Sequence, residues 1–600
     1  MAESFSRRAW PFCFVVLAWA VLFPIPSPAQ AQVTPEQADQ ASPAQGGPDA
    51  LATVHGVVRN GATGEPLPRA LVRIDGDAGS GVLTNGEGRF EIPGVPVGPQ
   101  QFEVIKPGFL DQAFLGTESE VQRFVVAMAN GAHNVNVATD MPDVVFTMAP
   151  TNAIQGQIQL STGDAAEGIS VVLLRHSVDN GRFLWSLVST AKTNSDGSYR
   201  FGGLPDGDYA LYTNPALDSE PVTNLIAKGD AANVARSGYA SQFYQDARNV
   251  AGAAKIRVAG GEQAEANLSL TLEPFEAVAA TLTFPGGRGP DRLPGLGGAP
   301  ISTTIMDAQG HQLPYTAQYD PSTHTVQASL PDGNYTFVVT AAALRGIDFH
   351  GSGSASFQVR SSMVGSADFS VGGHAISNLR VPLTAIQMSP VQVNVIENES
   401  GAAPAAGGGI FITLSQTGGW MADGMLNSYA DGPVPGPLPA NFLQPGRYWA
   451  HTNIADKRYC EASLTSGGAN LAREPLVLGL AGPGAPLTLT LREDCATLTL
   501  TLPGSAAIPA SGEEPYYTVY AVPDFDSTMD VVPETLRAST GGKIVLTGLT
   551  PGNYHVYAFE GLAALPYRDP PAMTAVAGRG QAVNLAPFSK TTLALEVPEH

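Results

Sequence analysis

Apolar and polar positions alternate with a period of two over most of the chain, the pattern of half-buried β-strands, and glycine-rich turns interrupt the runs at regular distances. The clearest stretch is residues 193–211, TNSDGSYRFGGLPDGDYAL, where Tyr199, Phe201 and Leu204 stand among polar or glycine positions. Asn85-Gly86, Asp196-Gly197, Asp206-Gly207 and Asp332-Gly333 supply residues that tolerate positive φ and read as tight turns. The phrase is therefore expected to be a hairpin: strand, turn, strand.

The phrase has five copies. Residues 84–98, TNGEGRFEIPGVPVG, align without a gap on 193–207 at a constant offset of 109 residues, and the second half returns at 330 (LPDGNYTF), 443 (LQPGRYWA) and 549 (LTPGNYHVY). Its turn glycines are Gly98, Gly207, Gly333, Gly446 and Gly552. The aromatics that follow, Tyr209, Tyr335, Tyr448 and Tyr554, stand where a sandwich needs a core anchor.

Opening strands at 54–58, 154–158, 278–282, 391–395 and 496–500, with closing strands at 144–148, 267–272, 378–383, 486–491 and 591–597, bracket the copies. The chain thus reads as an all-β tandem array of about five immunoglobulin-like or transthyretin-like antiparallel β-sandwiches: 52–150, 151–274, 275–387, 388–494 and 495–600. Such units bury their own cores, so this is a string of domains rather than a solenoid. Abutting strands with little linker suggest a semi-rigid rod. Residues 285–300 and 431–439 read as Gly/Pro loops, and 224–254, the least strand-like segment, as a short helix or a long surface loop.

Residues 1–31 read as a signal peptide: Arg7 and Arg8, an apolar core over 12–23, and Ala29-Gln30-Ala31 as cleavage site. General secretion fits better than the twin-arginine route, with an uncleaved anchor as the alternative. The apolar core is short of the ~20 residues that span a bilayer. Residues 32–51 read as a disordered spacer. The product is expected in the periplasm, at the cell surface or secreted, with no membrane span after cleavage.

Charge narrows the partners. The 54 acidic and 32 basic residues give −22, and removing Glu3, Arg7 and Arg8 with the leader leaves −23. Nucleic acid and anionic lipid need clustered Lys and Arg and are disfavoured. Other envelope proteins or glycans remain as partners, and the oligomeric state stays open.

Candidate chemistry is sparse. The ten histidines are dispersed, without the closely spaced ligands of a zinc peptidase, and there is no Gly-x-Ser-x-Gly elbow or phosphate loop. No catalytic, cofactor or metal site is expected. Asp524, Asp526 and Asp530 in PDFDSTMD, and Asp75 with Asp77, make one weak calcium candidate against ordinary solvated turn carboxylates. Cys13 leaves with the leader, so Cys460 and Cys495 remain; two thiols in an exported chain invite a disulfide across the seam of units four and five, the alternative being two separate buried thiols. Trp420, Trp185, Tyr516 and Tyr517, with Trp449 and Tyr557, are the aromatics able to stack on a sugar, against core packing as the plainer reading.

The first unit resembles a known family. Val54-His55-Gly56-Val57-Val58, then Gly64-Glu65-Pro66-Leu67-Pro68-Arg69-Ala70-Leu71-Val72, the 84–98 phrase and Lys106-Pro107-Gly108-Phe109 follow the pattern of the carboxypeptidase regulatory-like domain across about 55 residues. The second unit follows it more loosely, and 239–247, YASQFYQDA, is similar to the "YYP" segment of exported multi-unit bacterial members, with Gln245 in place of proline. The resemblance implies a transthyretin-like or immunoglobulin-like sandwich, often classed with carbohydrate-binding-like folds. In metallocarboxypeptidases the domain accompanies the enzyme without being catalytic, and elsewhere it precedes transporter barrels; neither companion is present here. The expected function is a non-catalytic structural or adhesive envelope scaffold, with glycan binding through exposed aromatics as the alternative and a hydrolase last.

Overall fold

The computed structural model describes residues 50–74, 81–111, 133–218, 236–287, 301–349, 355–386, 391–396, 409–417, 429–433, 444–502, 516–537, 541–561 and 563–596. Residues 1–31, Trp420, Asp75 and Asp77 lie outside them, as do most of 32–51 and of the 285–300 and 431–439 loops. Leu51, counted with the spacer, already opens the first strand.

The first unit sets the pattern. Leu51–Asn60 alternates strictly in burial, and its inward residues Val54 and Val58 meet Phe90, Ile92, Phe102 and Phe146 between two four-stranded sheets. One sheet runs Arg89–Pro96, Leu51–Asn60, Val144–Pro150, Phe109–Asp111; the other runs Val82–Leu83, Leu71–Ile74, Gly98–Ile105, His133–Val137. Each fully buried side chain such as Phe102 contributes roughly 1.5–3 kcal/mol. Four further sandwich cores follow along the chain, around Ile154 and Tyr209, Val278 and Phe337, Ile412 and Tyr448, and Leu498 and Tyr554. The protein is an all-β array of sandwiches.

The repeated phrase is a corner between sheets and not a hairpin. Arg89–Pro96 and Gly98–Ile105 belong to opposite sheets, and so do Ser198–Leu204 and Gly207–Thr213, Thr325–Leu330 and Gly333–Phe349, and Lys543–Leu549 and Gly552–Glu560. Alternation and a turn are common to both arrangements, so the pattern could not separate them. The tyrosine after the corner fastens it: Oη of Tyr209, Tyr335, Tyr448 and Tyr554 donates to the carbonyl four residues earlier, of Pro205, Pro331, Gln444 and Thr550, at 2.7, 3.0, 2.9 and 2.8 Å. This is the tyrosine corner of immunoglobulin-like sandwiches. In the first unit Gln100 holds the place, at the same 109-residue offset.

The first half of the phrase is a second fixed turn. Thr84 Oγ1 accepts from Ala70 N (2.8 Å) and donates to Leu67 O (2.6 Å); Thr193 Oγ1 does the same with Ile169 N and Ala166 O (2.9 and 2.5 Å). The left-handed residue is Gly88 in the first unit, not Gly86, and Gly197 in the second, with φ of 71° and 76°. A Cβ there would strike the carbonyl oxygen of Val58 or Ile158.

Not every strand pair is antiparallel. In all five units the opening strand runs parallel to the closing one: Leu51–Asn60 with Val144–Pro150, Asn152–Leu160 with Gln263–Glu265 and Leu268–Leu270, Leu272–Thr283 with Ile376–Pro382, Gln392–Ile396 with Leu487–Arg492, and Ala496–Thr501 with Lys590–Ala594.

The array is also not a simple rod. Within 224–254 the described part holds a one-turn 3-10 helix, Val250–Gly252, besides strand and turn: Arg236–Tyr239 pairs with Ala216–Leu217 on one side and with Leu272–Thr283, the opening strand of the third unit, on the other. Gln242–Phe243 returns to pair with Gly207–Thr213 of the second unit. This segment ties the two units together, and a long hairpin of the second unit reaches the fourth and fifth.

Candidate functional site

That hairpin is Ser170–Asp179 and Arg182–Lys192, closed by the two-residue turn Asn180-Gly181. Both turn residues have positive φ, 46° and 73°, the geometry an Asn-Gly hairpin favours. The tip sits against two other units. Arg568 N donates to Gly181 O at 2.8 Å, and a Cβ on Gly181 would lie 2.7 Å from atoms of the Tyr567 ring. The Arg182 guanidinium lies 3.4 Å from the centroid of the Trp449 ring. Burial, and then the charge of Arg568, bring Arg182 down to about 10, so it stays cationic at neutral pH.

Beneath the tip lies a buried polar cluster. His451 is buried, with Nδ1 2.9 Å from Asp530 Oδ1 and 3.0 Å from Arg568 NH1. One ring nitrogen cannot donate to the carboxylate and accept from the guanidinium at once, so the two contacts compete. Arg568 NH2 also donates to the carbonyls of Thr528 (3.2 Å) and Met529 (2.8 Å). Asp179 from the hairpin completes the group; burial pushes its carboxyl up, His451 opposes that and Asp530 adds to it.

Glu461, fully enclosed beside Cys460, accepts from Thr528 N at 2.7 Å and Thr528 Oγ1 at 2.6 Å, and burial raises its pKa despite these bonds. The Thr528 hydroxyl is also 2.7 Å from that of Thr452. A His-Asp pair is half of a relay, but the neighbouring hydroxyls are tied to one another and to Glu461. The cluster holds three units together.

The second feature is a cleft of about 620 Å³ between units two and three. The 240–249 stretch forms one wall, and Glu273, Tyr315 and Tyr335 stand on the other. The left-handed pair Gln245-Asp246 (φ 62° and 64°) turns this stretch back on itself, and Gln242 Nε2 donates to Asp246 Oδ1 at 2.5 Å.

The residues singled out from the sequence are placed as follows. Cys460 and Cys495 form a disulfide with Cα atoms 5.8 Å apart, joining the strand Cys460–Ser466 to the residue before Ala496–Thr501. Trp185 packs against the buried group around Val172, Tyr212 and Phe243, with Lys255 6.0 Å from its ring centroid. Tyr517 is buried in the fifth core and Tyr516 is half-buried at the strand start. Gly98, Gly207 and Gly552 have φ of 116°, 155° and 156°, whereas Gly333 and Gly446 are outside the positive-φ set.

The Asp524, Asp526 and Asp530 part of the calcium candidate breaks up; Asp75 and Asp77 lie outside the described residues. Asp524 Oδ1 lies 2.7 Å from His555 Nδ1, Asp526 Oδ2 accepts from Asn470 and Arg473, and Asp530 meets His451. Each carboxylate faces a different donor rather than a common centre. Among the described residues no group of three or more His, Cys, Asp or Glu could hold a metal ion. No helix among them is long and apolar enough to cross a membrane.

Residues 53–138 match the family described as carboxypeptidase regulatory-like domain. Solved structures similar to this chain include the Bacillus anthracis TIE protein (13% identity, 56% of this chain and 51% of that one, TM-score 0.15), a streptococcal ancillary pilin (10%, 55% and 99%, 0.18) and BcpA, the major pilin subunit of Bacillus cereus (9%, 74% and 98%, 0.12). The match thus spans about half of the Bacillus anthracis protein. With TM-scores this low, these likenesses say nothing of how the units are arranged or what the chain does. No curated protein sequence matches the chain.

Proposed function

Because the chain carries a carboxypeptidase regulatory-like domain at residues 53–138, we propose that it is a non-catalytic, exported envelope protein whose tandem sandwiches serve as a structural scaffold. The observation that supports this best is the three-unit junction. Its most reactive side chains, His451, Asp530, Arg568 and Glu461, are engaged in bridging units four and five, and Asp179 and Arg182 bring unit two onto them. Such a set rigidifies an array; it offers no nucleophile to a substrate. The leader at 1–31 and the disulfide are consistent with export to an oxidising compartment.

Fractionation of producing cells, with N-terminal sequencing, tests the reading. The expected product begins at Gln32 and is recovered from the envelope or the medium. Recovery in the cytoplasm with Met1 retained would overturn export. Chelator-sensitive turnover in a panel of peptide and glycoside substrates would overturn the non-catalytic assignment.

A further inference from the structure

The cleft between units two and three is not used by the junction and is lined in part by the strand exchange that ties these units, at Gln242 and Glu273. Its volume of about 620 Å³ falls within the roughly 300–1,000 Å³ of small-ligand sites, which concentrate at domain boundaries. Some of its polar groups are already satisfied. Asp307 Oδ1 accepts from Gln309 N and His311 N at 2.9 and 2.8 Å, and its Oδ2 lies 3.0 Å from His311 Nδ1. Asp246 holds Gln242.

Others are not satisfied. The exposed Arg248 makes no hydrogen bond or ion pair among the described residues, yet its charge acts on Glu273, Tyr315 and Tyr335 across the cleft. Ser241 Oγ is enclosed with no hydrogen-bond partner, and an unpaired buried hydroxyl calls for an explanation. Burial pushes the Glu273 carboxyl up against the pull of Arg248; the Tyr315 hydroxyl, also pushed up by burial, is held by the Ser241 backbone N–H. The walls therefore present a guanidinium that only donates beside a carboxyl that, when protonated, donates as well as accepts.

We propose that this cleft binds a neutral, hydroxyl-rich ligand, a short oligosaccharide, with Arg248 and Glu273 as its principal polar contacts. Net charge on the ligand is disfavoured from both sides. An anion drawn to Arg248 meets Asp246, Glu273 and Asp307; of these carboxylates Asp246 already holds Gln242 and Asp307 holds His311, so a cation is left with Glu273, which stands under the charge of Arg248. A sugar hydroxyl gives one hydrogen bond and accepts others, so it satisfies both kinds of wall. This site is separate from the tryptophans and from the scaffold reading, which stands whether or not the cleft is filled.

Isothermal titration of the full-length mature protein tests the proposal. The probes are neutral gluco-, manno-, galacto- and chito-trisaccharides, with tri-galacturonate and tri-glucosamine as charged controls. At least one neutral trisaccharide should bind and be recovered unhydrolysed. Arg248→Ala, at an exposed position, and Glu273→Gln should each weaken it about tenfold, the loss of one hydrogen bond to a charged group, with unchanged circular dichroism. Absence of neutral binding at millimolar ligand, binding of the charged trisaccharides alone, or unchanged affinity in Arg248→Ala would overturn it.

Discussion

Arg182 stacks on Trp449, 3.4 Å from its ring centroid, and so joins the tip of a hairpin in the second unit to a strand of the fourth. A cation over an indole face contributes about 0.5–2 kcal/mol, more as it is desolvated. Trp449→Ala should therefore release the hairpin tip while leaving the individual sandwiches folded. Small-angle scattering should record a larger radius of gyration with unchanged β-sheet circular dichroism; an unchanged radius would remove the stack from the clamp.

Gly181 is the second support of that contact. Any L-residue there adopts left-handed φ at a cost of about 1–2 kcal/mol, and its Cβ meets the Tyr567 ring. Gly181→Ala should lower the unfolding midpoint in urea and expand the molecule as Trp449→Ala does. Gly310→Ala carries comparable backbone strain with open space around it, so it should lower stability without expansion.

The tyrosine corners make a graded series. Removing one hydroxyl costs about 0.5–1.5 kcal/mol, and Tyr209→Phe, Tyr335→Phe and Tyr554→Phe should each show a loss of that order in chemical denaturation. Tyr448→Phe should cost more, because Tyr448 Oη also accepts from the buried Gln444 N at 3.1 Å, which would then lack that partner. Equal losses at all four positions would contradict this reading of the corner.

Reduction should loosen the fourth and fifth units. Closing a loop with a sequence separation of 35 is worth about 3–4 kcal/mol on the chain-entropy estimate. Dithiothreitol should lower the melting temperature of the wild type and not of Cys460→Ala/Cys495→Ala, and intact mass should show both thiols oxidised in exported protein. Two free thiols in that material would refute it.

The junction should weaken as pH rises. The raised carboxyl pKa of Asp179 means that the folded chain holds more protons than the unfolded chain between the ordinary carboxylate value and the folded one. Stability then falls as pH climbs through that window, and Glu461 acts in the same direction. His451, Asp530 and Arg568 face Asp179 and modulate the window. Asp179→Asn should gain stability relative to the wild type at neutral pH, with the difference shrinking toward pH 4 in parallel urea titrations.

Local and long-range features were not equally legible. The opening strands, the closing strands and the repeated phrase could be read because alternation and turn residues act over a few positions. The role of the phrase could not: the pattern around Tyr209 is the same whether the next strand returns in its own sheet or crosses to the other. Asn85-Gly86 carries the turn reading because an Asn-Gly pair is a strong local signal, whereas what demands glycine at Gly88 is Val58 O, the atom a side chain would strike, on another strand. The disulfide was accessible by elimination among three cysteines. The junction was not, since Asp179, His451 and Arg568 are more than a hundred residues apart in the sequence and each, alone, is an ordinary polar residue. Only Asn180-Gly181, an unmarked hairpin turn in a long apolar stretch, pointed toward it.

The parallel pairing of each opening strand with its closing strand has a mechanical consequence. The chain enters every sandwich at one end of this pair and leaves at the opposite end. A pull on the two ends of a unit therefore slides these strands past one another along their length. The evenly spaced, slanted bonds of a parallel ladder are then loaded together, instead of being peeled apart one after another. Under tension the units are built to resist in shear, and the tie between units four and five, covalent through Cys460 and Cys495, is the seam that force cannot part by breaking hydrogen bonds alone.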